Sequence, residues 1–247
     1  HNLPLNPTPE TLARYIAYTS QFIASGPKYL SGARHFLRDI FTHFDIHRSH
    51  PSVQATITGA RKLRGEAVRR KLPLRTSHLA AFVHIAVLSK SYDDLLFATI
   101  LSCMFYACHR SGELVVKTSG GNLDWRKIIK RSSLEFSGSR ASYHLPYHKG
   151  DRFYTGTTIL HMRHDVSCPV DLLRDYVRER DRRHGAKAAL FLREDGSLPM
   201  RSWFEQRFFT VLDHTYGGHS ARAGGATYYA GLGLSESVIQ ALGRWSS

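Results

Sequence analysis

Residues 95–108 form an almost continuous apolar run, and no other part of the sequence limits the possible folds so strongly. A helix that is apolar on every side must be surrounded by other elements, so the run predicts a helix buried in a core. It leads directly into Arg110. A guanidinium at the end of so buried a helix is expensive to remove from water and needs a partner. Glu113 could supply an ion pair, and the alternative is an anionic ligand.

A second arginine lies in the stretch Gly217-Gly218-His219-Ser220-Ala221-Arg222, which leads into a helical run of small residues. Residues three apart share one face of a helix, so His219 and Arg222 would point the same way. The start of a helix also offers free N–H groups and a partial positive charge. Together these groups suit the oxygens of a phosphate. A capping histidine and a solvated arginine would produce the same pattern.

The remaining patterns predict a mainly α protein with a small antiparallel β-sheet. Helical periodicity fills most of the first 71 residues, residues 72–75 have the character of a linker, and a new helix start follows at Thr76. We therefore expect two domains, 1–75 and 76–247. Three β-prone segments follow at 132–136, 141–147 and 155–160. The turn between the last two would hold Lys149 at the tip of a hairpin.

The chain is strongly basic: its 247 residues include 34 Lys and Arg against 20 Asp and Glu, a net charge of +14. A surplus of this size implies a polyanionic partner, more often nucleic acid than an anionic membrane surface. Residues 1–75 hold 12 of the cations and only 4 of the acids. We expect this part to grip a nucleic-acid backbone through a basic flank. The flank consists of Arg61, Lys62, Arg64, Arg69, Arg70 and Lys71.

Cysteine and histidine usage indicates an intracellular protein without a metal site. Cys103 and Cys108 lie in the apolar run and are typical of small core residues in a reducing compartment. No apolar run reaches membrane-spanning length, and no signal peptide pattern is present. His161, His164 and Cys168 have a spacing similar to zinc ligands, but a fourth ligand is lacking, so we expect no metal there.

Taken in order, four short motifs resemble the catalytic domain of the tyrosine recombinase and integrase family. They are the Arg-x-x-Glu turn at Arg110, the hairpin lysine Lys149, His-x-x-Arg at His219, and Gly-x-Trp at 243–245. The residues around these motifs are most similar to those of the recombinases of eukaryotic mobile elements of the Crypton and DIRS type. The motifs cover 76–247, whereas 1–75 matches only as a generic helical core-binding domain. The resemblance implies a two-lobed clamp on double-stranded DNA, with an α+β catalytic lobe.

The resemblance also implies a role for each motif residue. Arg110 and Arg222 would hold the non-bridging oxygens of the scissile phosphate, and His219 would hydrogen-bond it and assist proton transfer. Lys149 would be the general acid for the departing 5′-hydroxyl. Trp245, or Arg244 by a one-residue shift, would fill the second His/Trp position. No cofactor or metal is needed, because the arginines stabilise the charge. A dimer or tetramer on DNA is expected, in the nucleus if the source is eukaryotic and otherwise in the cytoplasm.

The nucleophile of the family is a tyrosine shortly after the Gly-x-Trp segment, and the sequence given stops at Ser247. Tyr228 and Tyr229 lie on the helix that follows His219, which is the wrong place, so we expect them to be packing residues. The 247-residue polypeptide is therefore expected to bind DNA without cleaving it.

Three other functions are compatible with the sequence. The first is a non-catalytic, sequence-specific DNA-binding protein derived from a recombinase. The second is a helix-turn-helix regulator, which explains the charge but leaves Lys149 and the pair of His219 and Arg222 unexplained. The third is a type IB topoisomerase, which has the same phosphate chemistry but acts as one protomer, whereas recombination needs several.

Overall fold

The computed structural model describes residues 6–63, 70–117, 123–151 and 153–245. Within it the chain divides into two compact units, His1–Arg70 and Lys71–Ser247. The division falls after Arg70 because the segment that follows is attached to the second unit. The N–H of Leu72 donates to the carbonyl of Thr215, and that of Leu74 to the carbonyl of Ser220. Leu74 is also buried in the second core, so the segment assigned to a linker in the sequence is an ordered part of this unit.

The described residues of the first unit, 6–63 and 70, contain a bundle of four helices. They are α1 (Pro9–Phe22), α2 (Gly26–Leu37), α3 (Phe44–Ser49) and α4 (Pro51–Leu63). Thr8 caps α1, and Pro9 fits its first turn because the first helical N–H groups need no partner. The predicted break at Gly26-Pro27 is the start of α2 for the same reason, five residues ahead of the predicted start at Ser31. The core lies where the apolar faces meet; its members are Leu12, Ile16, Leu30, Phe44, Val53, Ile57 and Ala60.

The second unit is built around α6 (Tyr92–Tyr106), the helix predicted from the apolar run. Ser91 caps it by accepting a hydrogen bond from the N–H of Asp94. Thirteen of the residues of α6 are buried, because α5 (Thr76–Ser89), α8 (Pro169–His184) and α10 (Ser220–Gly231) all pack against it. The described part of this unit also contains α7 (Ser111–Leu114), α9 (Arg201–Phe208), α11 (Glu236–Gly243) and two short 3₁₀ helices, Trp125–Lys127 and Arg131–Ser133.

The sheet of this unit has three antiparallel strands in the order β1-β2-β3. The strands are β1 (Glu135–Ser137), β2 (Arg140–Leu145) and β3 (Thr157–His161). Ala141, Tyr143 and Leu145 are buried, as the alternation of a strand with one covered face requires. The prediction of a mainly α protein with a small antiparallel sheet is confirmed. None of the described helices combines the length and the apolarity that a membrane crossing would need.

Two glycines explain how α10 comes so close to α6. A Cβ on Gly225 would lie 2.0 Å from the carbonyl oxygen of Phe105, and one on Gly224 would lie 2.4 Å from that of Leu74. Only a residue without a side chain fits at either position. The small-residue run seen in the sequence therefore lets two backbones approach closely, and it brings Arg222 to the end of α6.

Candidate phosphate site

Arg222 is the most enclosed of the predicted site residues, with 4% of its surface exposed. Its Nη1 donates to the carbonyl oxygen of Cys108 at 2.6 Å, and its Nη2 donates to the carbonyl of Gly243. Its guanidinium carbon lies 4.2 Å from the centre of the Trp245 ring. Burial, followed by the nearby charge of Arg110, lowers the pKa of Arg222 to about 10. The side chain is thus held in one position and stays charged at neutral pH.

Arg110 lies just ahead of α7. It combines the two possibilities that the sequence left open, because it is paired with Glu113 and its side chain still remains partly exposed. Its Nη1 donates to Oε1 of Glu113 at 3.3 Å, and its backbone N–H donates to Oε2 of the same residue at 3.2 Å. The long side-chain bond is a weak one. The side chain keeps 26% of its surface exposed and lines an open cavity. Arg110 is therefore tethered by Glu113 and still accessible to a ligand.

Glu113 is a buried junction that the sequence did not single out as a site residue. Besides Arg110, its Oε2 accepts hydrogen bonds from Nη2 of Arg244 at 2.9 Å and from Nδ1 of His109 at 2.8 Å. Burial would raise the pKa of its carboxyl. The hydrogen bond from His109 and the charge of Arg244 outweigh burial and bring that pKa to about 2. The carboxylate therefore connects the turn after α6 with the end of α11.

Behind Glu113 lies a chain of buried polar rings. Nε2 of His109 is 2.8 Å from the hydroxyl of Tyr143, which in turn is 3.3 Å from Nε2 of His161. Burial lowers the pKa of His109 to about 4 and that of His161 to about 3, so both rings are neutral at pH 7. The bond to Glu113 assigns the proton of His109 to Nδ1, and Nε2 then accepts from Tyr143. His161, considered above as a metal ligand, is a core residue.

Arg244 and Trp245 have different positions, although the sequence allowed either to fill one role. Arg244 adopts a left-handed backbone conformation with φ of 55° immediately after α11, which turns its side chain toward Glu113. Trp245 instead lies against the guanidinium of Arg222. A Cβ on Gly243 would lie 1.8 Å from the Trp245 ring, so the glycine of this motif makes room for the indole.

His219 and Lys149 are exposed and line the same cavity as Arg110. His219 immediately precedes α10. Lys149 lies in the turn between β2 and β3, as predicted. The carboxylate of Asp151 fixes that turn by accepting hydrogen bonds from the backbone N–H groups of Phe153, Thr155 and Gly156. Arg222 is not among the residues that line the cavity, but Arg110 is close enough for its charge to lower the pKa of Arg222.

Tyr228 and Tyr229 are not among the residues that line this cavity. The hydroxyl of Tyr229 donates to the carbonyl of Tyr106 at 2.7 Å, and burial raises the pKa of that hydroxyl above its ordinary range. Tyr228 packs against the main core, with its hydroxyl 3.5 Å from Nδ1 of His164. Both tyrosines are therefore packing residues.

The predicted basic flank is only partly described. Arg61 and Lys62 are exposed at the end of α4, and Arg70 is exposed at the end of the first unit. Lys71 belongs to the second unit, where its Nζ donates to the carbonyl of His214. Arg64 and Arg69 lie outside the described residues. The flank therefore spans two units and is not one continuous helical face.

No protein-family model matches this sequence, and a search of curated proteins finds no match. Solved structures do match over the whole chain. The XerH site-specific recombinase in a post-cleavage complex with a palindromic difH substrate has 14% identity and a TM-score of 0.63, with 68% of its chain covered. A dimer of lambda integrase bound to a COC′ core site has 15% identity and a TM-score of 0.59, with 79% covered. XerA recombinase has 16% identity and a TM-score of 0.53, with 77% covered.

Proposed function

We propose that this chain, which has the tyrosine recombinase fold predicted from its motifs, is a DNA strand-transferase that acts as a site-specific recombinase or integrase. It would cleave and rejoin double-stranded DNA through a 3′-phosphotyrosyl intermediate. The observation that carries the proposal is the convergence of three residues from distant parts of the sequence, Arg110, Lys149 and His219, on one cavity, with the fixed side chain of Arg222 close to Arg110.

The two arginines would stabilise the charge of the reacting phosphate. Phosphoryl transfer concentrates negative charge on the non-bridging oxygens, and fixed cations in a partly dehydrated site are worth more there than in water. Two N–H groups of Arg222 are used against Cys108 and Gly243, which leaves others of its five to reach a ligand. Arg110 supplies a second, more accessible guanidinium. Because Glu113 is bound by two arginines and a histidine, it holds this group without competing strongly for it.

Lys149 and His219 would donate the proton and the hydrogen bond that the reaction needs. The departing 5′-oxygen needs a proton as its bond to phosphorus breaks, and Lys149 is placed on an exposed turn at the edge of the same cavity. His219 would donate a hydrogen bond to the phosphate from its exposed position just before α10. Tyr228 and Tyr229 are excluded as the nucleophile by their packing.

The proposal can be tested on the 247-residue chain itself by supplying the nucleophile as hydrogen peroxide. A target duplex would first be selected by binding from a random-sequence pool. We expect peroxide-dependent nicks at one phosphate in EDTA, lost in Arg222→Ala and Arg110→Ala. Arg126→Ala is the matched control, because Arg126 is an exposed, acid-paired arginine outside the cavity lining. Nicks that are spread over all phosphates, or that persist in Arg222→Ala, would contradict the proposal.

The basic flank is proposed to contact DNA phosphates irrespective of sequence. Replacing Arg61, Lys62 and Arg70 with glutamine should weaken binding to every duplex. Each lost phosphate contact should reduce the slope of log affinity against log salt by about one. An unchanged slope would remove these residues from the interface.

A non-catalytic DNA-binding protein is the second candidate, and the packing of Tyr228 and Tyr229 is the observation that favours it. Binding without any peroxide-dependent nick would support this candidate.

We further propose that the active form is a dimer or tetramer on DNA. Strand exchange between two duplexes by several protomers would distinguish a recombinase from a type IB topoisomerase, which relaxes supercoils as a single protomer. An origin in a Crypton-type or DIRS-type mobile element, with nuclear residence, is likewise part of the proposal.

A further inference from the structure

The cavity that contains Arg110, Lys149 and His219 is larger than a phosphate requires. Its volume is about 1190 Å³, above the roughly 300–1,000 Å³ typical of small-molecule sites. Away from the phosphate end its lining is mostly apolar and includes Leu114, Ile128, Phe191, Leu198 and Met200. The chemistry proposed above uses none of this apolar part.

The more exposed residues of the lining form a rim to the cavity, and this rim is cationic and aromatic. Lys117, Lys127, Lys149 and Lys187 line it, and its acids Glu113 and Asp124 are already engaged by basic groups of the protein. Trp125 and Tyr147 line it too. Half of the surface of Trp125 is exposed.

The rim aromatics already accept cations on their faces. Nζ of Lys130 lies 5.2 Å from the centre of the Trp125 ring, and Nζ of Lys127 lies 4.7 Å from that of Tyr147. Flat, electron-rich rings with cations beside them are the surface on which nucleobases stack. An apolar peptide would match the floor of the cavity but not this positive rim, whereas a nucleotide combines a flat base with an anionic phosphate.

We propose that the cavity takes up an extrahelical nucleobase of the DNA, next to the phosphate held at Arg110 and His219, and that Trp125 stacks on it. The inference rests on the proposed function, because it requires DNA at that phosphate end. A paired base cannot reach the cavity, since it remains inside the duplex stack. The base must therefore be extruded, and the cost of unpairing is least where it is already unpaired.

The test is a comparison of two probes of the same sequence, a fully paired duplex and one with a single-nucleotide bulge that contains 2-aminopurine. Fluorescence anisotropy would give both affinities at low salt. Stacking of one base on an aromatic side chain is strong enough to favour the bulged probe by about tenfold. The 2-aminopurine fluorescence should also be quenched on binding.

Trp125→Ala should bring the ratio of the two affinities close to one without changing the salt slope, because no phosphate contact is lost. Trp125→Phe should retain most of the preference. Phe136→Ala is the matched control: Phe136 is a partly exposed aromatic with Arg174 over its ring at 5.3 Å, and it does not line the cavity. Thermal unfolding of each variant would verify the fold.

The outcomes separate this inference from the function it rests on. Salt-dependent binding of both probes with equal affinity, or a preference that survives in Trp125→Ala, would overturn the inference and leave DNA binding intact. No binding of either duplex would overturn the proposed function. A change of oligomeric state of the free protein in Trp125→Ala, with no bulge preference in the parent chain, would show that a second copy covers the cavity, and it too would overturn the inference.

Discussion

Gly225→Ala should disturb the phosphate site from a position that touches no ligand. The new Cβ would lie 2.0 Å from the carbonyl oxygen of Phe105, whereas ordinary contact begins at 3.4 Å. Relief requires α10 to move away from α6 by about 1.4 Å, the difference of these distances. Arg222 is carried by α10, and the same movement would stretch its 2.6 Å bond to Cys108 beyond hydrogen-bonding range.

The change in the free energy of unfolding caused by Gly225→Ala is the sum of two opposed effects. Overpacking in a core costs about 1–3 kcal/mol, while alanine is favoured over glycine in a helix by about 1 kcal/mol. The backbone carbonyl of Phe105 cannot rotate aside, so we expect the upper part of the first range and a net loss of about 1–2 kcal/mol. At about 2–4 °C per kcal/mol, the second unit should melt several degrees lower.

The assay combines thermal unfolding with the peroxide nicking reaction. Gly231→Ala is the control in the same helix, because a Cβ there would meet nothing within 4 Å. It should melt at or above the parent temperature and nick normally, whereas Gly225→Ala should lose about tenfold or more of its nicking rate. Equal melting temperatures and rates for the two variants would refute the argument that close approach of α10 to α6 positions Arg222.

Three further predictions concern the side chains of the site. Arg222→Lys should reduce the nicking rate nearly as much as Arg222→Ala, by about two to three orders of magnitude, because an ammonium cannot replace the planar fork; a rate close to that of the parent chain would contradict this. Lys149→Ala should slow cleavage of an ordinary target by at least about a hundredfold, but far less when the bridging 5′-oxygen is replaced by sulfur, since a thiolate leaves without a proton. Equal losses on both substrates would remove Lys149 as the acid. Finally, the pKa of His109 is about 4 and that of His161 about 3, both below the value near 6.5 of an unfolded histidine. Below pH 6.5 the unfolded chain therefore binds more protons than the folded one, and stability should fall with acid by up to about 1.4 kcal/mol per pH unit for each histidine. Urea titrations between pH 7 and 5 would measure the slope, and His161→Asn should reduce it.

The sequence predicted the elements of the second unit better than their contacts. The buried helix predicted over 95–108 followed from the almost continuous apolar run, and the structure places it at Tyr92–Tyr106. Lys149 on a turn and His219 at a helix start followed equally from local patterns. The bond of Tyr143 to His109 joins residues 34 apart, and no periodicity signals such a pair. The apolar cavity was also missed, because its walls come from segments that are each unremarkable alone.

The backbone of Arg244 explains why spacing in the sequence could not decide whether Arg244 or Trp245 fills the second His/Trp position. Its backbone has a positive φ, which reverses the direction of the chain between Gly243 and Trp245. Motif spacing assumes that consecutive residues progress regularly along an element, and a left-handed residue breaks that assumption. The boundary near Arg75 was displaced for a different reason: Leu74 is a core residue in a segment rich in proline and basic residues, which is the composition of a linker.

The carbonyl of Gly243, which accepts a hydrogen bond from Arg222, is also the end of α11. This helix contributes one fully buried residue, Gly243 itself, so much of its attachment consists of polar bonds made through Arg222, Arg244 and Glu113. If Arg222 binds phosphate as proposed, occupation of the site and docking of α11 should be thermodynamically linked, and the linkage is reciprocal. An anion that binds Arg222 should slow amide exchange throughout α11, and any partner that binds α11 and holds it in place should raise the affinity of the site for that anion by the same factor.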